Sequence, residues 1–194
     1  MMNLIMKNNK QAFTLIELLI VIALLGALAV GLLAALDPFE QLKKGTDTGV
    51  RNTVSEIQQG AIRFYAIKNH MPWCDPADPT TCGDLTTPVK VSQVDAPTTT
   101  AYFSPIQQII DAGELKTDFK ALAGGQLDKV WISGAVDPTP KVVVCYQPIS
   151  KSFQADNNTK YVVNGVTGSM DGTEVTDGSC KSQGGTTSCG WCVQ

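Results

Sequence analysis

The sequence predicts an α+β protein, in which a long N-terminal helix, apolar in its first half, carries a small antiparallel-sheet head. Three observations predict it. Residues 13–36, FTLIELLIVIALLGALAVGLLAAL, form a 24-residue run whose only ionisable side chain is Glu17. From Phe39 the pattern turns amphipathic, with Val50, Val54, Ile57, Ala61 and Phe64 at spacings of 4, 3, 4 and 3. Short runs rich in Val, Ile, Trp and Tyr then follow, separated by Pro, Asn and Gly.

As a helix, the first run reaches about 36 Å at 1.5 Å per residue, enough to cross the hydrocarbon layer of a bilayer. It lacks the polar face that a core helix of a soluble domain would present. The membrane is therefore the expected first solvent of residues 13–36. Glu17 is costly there, since an unpaired carboxylate at a helix centre loses roughly 2.5–3.5 kcal/mol on insertion scales. Lys7 and Lys10, in a leader without acids, hold the N-terminus inside, so that everything after Leu36 faces outward.

The junction Lys10-Gln11-Ala12-Phe13-Thr14-Leu15-Ile16-Glu17 resembles the processing site of type IV prepilins and pseudopilins. The resemblance is specific over the junction and the apolar run and loose beyond them. It implies a type IV pilin-like fold and four segments. These are a leader peptide at 1–12, a transmembrane and filament-core helix at 13–36, its amphipathic continuation at 37–69 and a globular head at 70–194. It also implies that a prepilin peptidase cuts between Ala12 and Phe13, and that Phe13 becomes an N-methylated first residue. Ala12 stands where the family usually has glycine. Glu17 would pair with the terminal amine of a neighbouring subunit during assembly on an inner-membrane platform. The implied partners are further copies of the chain, other minor pilins and the membrane. The implied route runs from a single-pass inner-membrane precursor to an extracellular pilus filament. Pilins commonly loosen this helix with a glycine and a proline. Gly26 and Pro38 are the matching residues here, although the usual proline would fall nearer Ala34.

Other readings compete. A pseudopilin of a type II secretion or DNA-uptake machine shares the same junction. A secretory signal peptide would use Leu18 to Gly26 as its apolar region and Ala27-Leu28-Ala29 as its cleavage pattern. Against it, the preceding region is long and ends in an acid, and hydrophobicity continues past the cut. Glu17 could also be a charge snorkelling to the interface. From a different class, the rival is a monomeric membrane-tethered binding or redox domain.

Composition bounds the rest. The 125 residues from His70 onward suffice for one modest core. The formal charge of −3 falls to −5 without the leader's two lysines, leaving 13 basic against 18 acidic residues. A mildly acidic, unclustered surface argues against a general nucleic-acid binder, and no sequence-specific nucleic-acid partner is expected. Cys74, Cys82, Cys145, Cys180, Cys189 and Cys192 all follow the membrane segment. An even count on the oxidising side reads as up to three disulfides among 15 possible connectivities. The preferred pairing is Cys74 with Cys82, a local loop, with Cys145 on its strand clamping the tail.

Along the head, residues 72–103 read as a loop, with the long helix ending near Asn69 and His70 a helix-end residue. Ser104-Pro105 gives an N-cap and a first-turn proline before Ile106, Ile109, Ile110 and Leu115. Strand-like runs at 129–135, 141–147 and 160–163 suit an antiparallel meander. The tail at 165–194 is rich in Gly, Ser and Thr and depends on disulfides for order.

The candidate chemistry is sparse. Cys189-Gly190-Trp191-Cys192 has C-x-x-C form, but a thioredoxin-like site needs a helix starting at the motif, and only Val193 and Gln194 follow. Four of the cysteines could hold zinc, although their irregular spacing favours disulfides. Asp171, Glu174 and Asp177 could supply oxygen ligands for calcium, a cofactor some pseudopilins hold near the C-terminus. Their spacing does not match an EF-hand, and an acidic solvated loop is the simpler reading. No catalytic arrangement is evident around the single histidine, so the expectation is a structural protein without a cofactor.

Overall fold

Thr14 starts the first helix through a reciprocal pair of hydrogen bonds with Glu17. The Thr14 N–H donates to Glu17 Oε2 at 2.9 Å, and the Glu17 N–H donates to Thr14 Oγ1 at 3.3 Å. This capping box satisfies backbone donors that a helix start otherwise leaves unpaired. Helix α1 then runs Leu15–Ala35. The computed structural model describes residues 13–35, 37–79, 82–94, 104–136, 139–165 and 168–194. The expected leader, 1–12, lies outside them. The chain divides into two units, the first ending at Gln41 and the second running Leu42–Gln194. Within the first, Leu15–Leu33 is long and apolar enough to cross a membrane, and none of it is buried by the protein.

Helix α2, Pro38–Lys68, opens on a second capping arrangement: Asp37 Oδ1 accepts from the Glu40 N–H at 3.2 Å. Pro38 sits at the first helical position, where its missing N–H costs nothing. It begins α2, and Asp37 just before it lies outside both helices. Gly26 lies inside unbroken helix α1. At the other end Asn69 adopts φ 57°, the left-handed conformation that stops a helix.

In the second unit, Val50, Val54, Ile57, Ala61 and Phe64 are all buried, so the stripe is the docking face of α2. It packs on a five-stranded antiparallel sheet of order β1-β2-β3-β5-β4, with β1 Leu85–Lys90, β2 Val130–Ala135, β3 Lys141–Tyr146, β4 Thr159–Tyr161 and β5 Gly190–Val193. Val130, Ile132, Val142, Val144 and Tyr146 point into this core, as period-two alternation requires. The four-residue turn α3, Val91–Val94, follows β1, and α4, Pro105–Asp111, and α5, Phe119–Leu127, complete the layer beside α2. A Cβ on Gly60 would stand 3.1 Å from Ile109 and 3.3 Å from Leu115, so glycine there lets α2 approach its neighbour.

The other face of the sheet carries a second small core of Val143, Cys145, Tyr161, Met170 and Cys192. Met170 belongs to the long excursion between β4 and β5, and it reaches over Gly190 so closely that a Cβ there would overlap its sulfur. Both faces of β3 are thereby covered, and only Lys141 of that strand is exposed.

Two expectations change. Residues 72–103 are not all loop, since β1 and α3 lie within them. Pro88 breaks the strand pattern, and β1 accommodates it at the sheet edge with a register shift between Leu85 and Val89. The strands are also not a simple meander. The tail supplies β5, which inserts between β3 and β4 and pairs with both.

Candidate functional site

The N-terminal constellation consists of Phe13, Thr14 and Glu17 on an apolar helix. Phe13 is 85% exposed, and Ala12 lies outside the described residues. Glu17 Oε2 accepts from both the N–H and the hydroxyl of Thr14, at 2.9 and 2.8 Å. The single carboxylate of the apolar run is thus solvated by its own helix start. This lowers the cost of carrying a charge into an apolar setting and fixes where that charge sits. Sequence reasoning missed Thr14, although its signal, Thr-x-x-Glu before an apolar run, was in plain view. Ser and Thr carry little weight in a hydropathy reading, so the cap was passed over.

The six cysteines form three pairs: Cys74–Cys82, Cys145–Cys192 and Cys180–Cys189. The two cysteines of the C-x-x-C sequence go to different partners, and Cys192 lies on strand β5. A dithiol-exchange site needs the two to bridge each other at a helix start. With all six in disulfides, there is no thiolate set for zinc.

The three acidic residues of the tail are each engaged locally. Asp171 accepts from the Thr173 N–H at 2.8 Å, Glu174 pairs with Lys160 at 3.0 Å, and Asp177 accepts from the Ser179 N–H at 3.0 Å. The bond from Ser179 holds the Asp177 carboxyl below its ordinary range, while the hydrogen bond with Glu174 raises Lys160. Among the described residues no group of three or more His, Cys, Asp or Glu side chains is placed to hold a metal. Asp171, Glu174 and Asp177, the trio that could supply calcium ligands, form no such group. His70 lies just beyond α2, edge-on to Phe64 with ring centres 5.3 Å apart.

Comparison with known families adds one match. Residues 7–33 fit the family described as the prokaryotic N-terminal methylation motif. No curated protein and no solved structure matches the chain. The chain therefore carries the signature of type IV pilins and pseudopilins on an α+β, type IV pilin-like fold. The matched motif overlaps the helix that is long and apolar enough to cross a membrane.

Proposed function

We propose that the chain is the structural subunit of a type IV pilus-like filament, made as an inner-membrane precursor and trimmed by a prepilin peptidase between Ala12 and Phe13. The observation that carries this reading is helix α1, apolar on every side, with its membrane-length span unburied and one locally capped carboxylate. In a bilayer such a helix is satisfied by lipid. On extraction it needs other apolar helices, and further copies of itself supply them. Assembly on an inner-membrane platform, with minor pilins in the same filament, follows from this reading. The role is mechanical; neither catalysis nor a cofactor is required for it.

Electron microscopy of filaments sheared from the cell surface, followed by mass spectrometry of their subunits, tests the proposal. The expected result is filaments composed of this chain, with an N-methylated Phe13 as the first residue. A mature N-terminus at Val30 would establish a signal peptide instead. A correctly trimmed chain that never leaves the envelope would point to a pseudopilin.

A further inference from the structure

An asparagine side chain is open to attack by the backbone nitrogen of the next residue, and a side chain on that residue is the usual obstacle; glycine removes it. Of the asparagines in the chain only Asn164 precedes glycine. It lies just beyond β4, and Asn164 and Gly165 are both exposed. The turn is pinned around them. The Asn164 N–H donates to the Ser169 carbonyl at 2.9 Å, and the Gly168 N–H donates to the Asn164 carbonyl at 2.8 Å. The Gly165 N–H donates no hydrogen bond among the described residues, and nothing lies within 4 Å of the place a Cβ on Gly165 would take. Asn157 and Asn158, in the turn before β4, differ on each count. The nitrogen that follows Asn157 is occupied, since the Asn158 N–H donates to Asp156 Oδ1 at 2.9 Å. The nitrogen that follows Asn158 is occupied too: the Thr159 N–H donates to the Asp156 carbonyl at 2.9 Å, and Thr159 is only 1% exposed.

We propose that Asn164-Gly165 is a site of spontaneous deamidation in the folded head. The Gly165 nitrogen gives its proton to solvent base and bonds to Asn164 Cγ. The side-chain nitrogen takes up a proton and leaves as ammonia, which closes a five-membered succinimide. Water then adds to either ring carbonyl and opens the ring, to aspartate by one route and isoaspartate by the other. The reaction needs neither oxidant nor catalyst. Each conversion adds a negative charge to the head. The isoaspartyl product also adds a methylene to the backbone between β4 and Met170, whose sulfur covers Gly190 of β5.

The test incubates the full-length protein in detergent at mildly alkaline pH, beside a sample held unfolded in urea. After reduction, trypsin releases Tyr161–Lys181, which contains no asparagine but Asn164 and no glutamine. In the folded protein this peptide should gain the mass of an amide-to-acid exchange, as separable aspartyl and isoaspartyl forms, and faster as the pH rises. Isomerisation at Asp171-Gly172 or Asp177-Gly178 changes no mass, so the gain belongs to Asn164. The peptide Ser152–Lys160, with Asn157 and Asn158, should stay unchanged over the same period. Gly165→Ala, for which the structure leaves room, should slow the gain severalfold by hindering the attacking nitrogen. A gain confined to the urea sample, or absent from both, overturns the proposal. So does a gain as fast in Ser152–Lys160, or one that Gly165→Ala leaves untouched.

Discussion

Asp47 and Ser150 are joined by two hydrogen bonds at a buried corner of the head. The Ser150 N–H donates to Asp47 Oδ2 at 2.8 Å, and its hydroxyl donates to the same oxygen at 2.6 Å. The Ile149 N–H adds a third donor at 3.1 Å, and Ser150 Oγ itself caps α6, Lys151–Gln154, by accepting from Phe153. Asp47 is only 2% exposed although it lies in a helix of mostly polar composition. The carboxylate is a fixed acceptor that ties the turn after β3 to α2.

Removing it strands buried donors, and each buried donor left unpaired costs about 1–3 kcal/mol. Asp47→Ala should therefore lose about 2–3 kcal/mol, and Asp47→Asn less, because one oxygen remains to accept. Urea unfolding of the detergent-solubilised protein, followed by tryptophan fluorescence, reads the difference. An Asp47→Ala midpoint equal to wild type would show that the corner is held by packing alone.

The three disulfides should not contribute equally. Cys145 and Cys192 are direct partners across β3 and β5 and are 47 residues apart, whereas the other pairs span 8 and 9. The chain-entropy relation gives about 4 kcal/mol for the long loop and about 2.5 kcal/mol for each short one. The double change Cys145→Ala with Cys192→Ala should thus lower stability most. It should also free β5, which no other covalent link holds to β3. Hydrogen exchange at Val144 and Val193 reports this; unchanged protection there would show that strand pairing suffices.

Tyr146 predicts the response to alkali. Its ring is buried, its hydroxyl has no hydrogen-bond partner among the described residues, and Trp191 packs against it at 5.7 Å. Burial, and after it the charge of Asp47, raise its phenol well above the ordinary 10.0. The folded state then resists ionisation that the unfolded chain accepts. The stability is complete below pH 10 and drains away as the pH rises toward the folded value. Tyr146→Phe should cost little at neutral pH and should flatten the loss of stability as the pH rises above about 10. A variant that loses stability with pH as steeply as wild type would place the alkaline sensitivity elsewhere.

The long helices were legible because each answers to a single solvent. The run 13–36 is apolar all round, and the stripe from Val50 to Phe64 has one period throughout. Cysteine parity carried the disulfides, since all six lie on one side of the membrane segment. What escaped the sequence depends on contacts made at a distance. Thr86, Thr87 and Pro88 show no alternation, and β1 exists because β2 offers an edge and Asp84 accepts from the Val136 N–H. Gly124 and Gly125 argue against helix α5, yet it forms because Phe119, Ala123 and Leu127 share one buried face. Strand β5 is four residues long and is defined by a partner strand far back in the chain. Asp47 reads as a solvated helix residue until the turn at Ile149 closes over it. At the candidate assembly site, Glu17 stood out by its cost, while Thr14 needed attention to caps.

Glu17 offers the sharpest separation of roles, because it does two things at once. Its carboxylate caps the Thr14 N–H, and on the filament reading it also meets the terminal amine of a neighbour's Phe13. A cap is worth about 1 kcal/mol, which does not decide whether a helix this apolar inserts. Removing one partner of a buried charge pair costs about 3–5 kcal/mol, which does decide whether one axial offset is preferred. Glu17→Ala loses both contributions, so membrane insertion and Phe13 processing should persist while filaments disappear. Glu17→Gln is the informative comparison, since glutamine can complete the same Thr-x-x-Gln capping box yet carries no charge. If charge pairing sets the register, Glu17→Gln should assemble almost as poorly as Glu17→Ala despite an intact helix start. Counting filaments per cell against the amount of processed subunit measures this. Normal filaments from Glu17→Gln would mean that the cap, and not the charge, is what assembly requires of this residue.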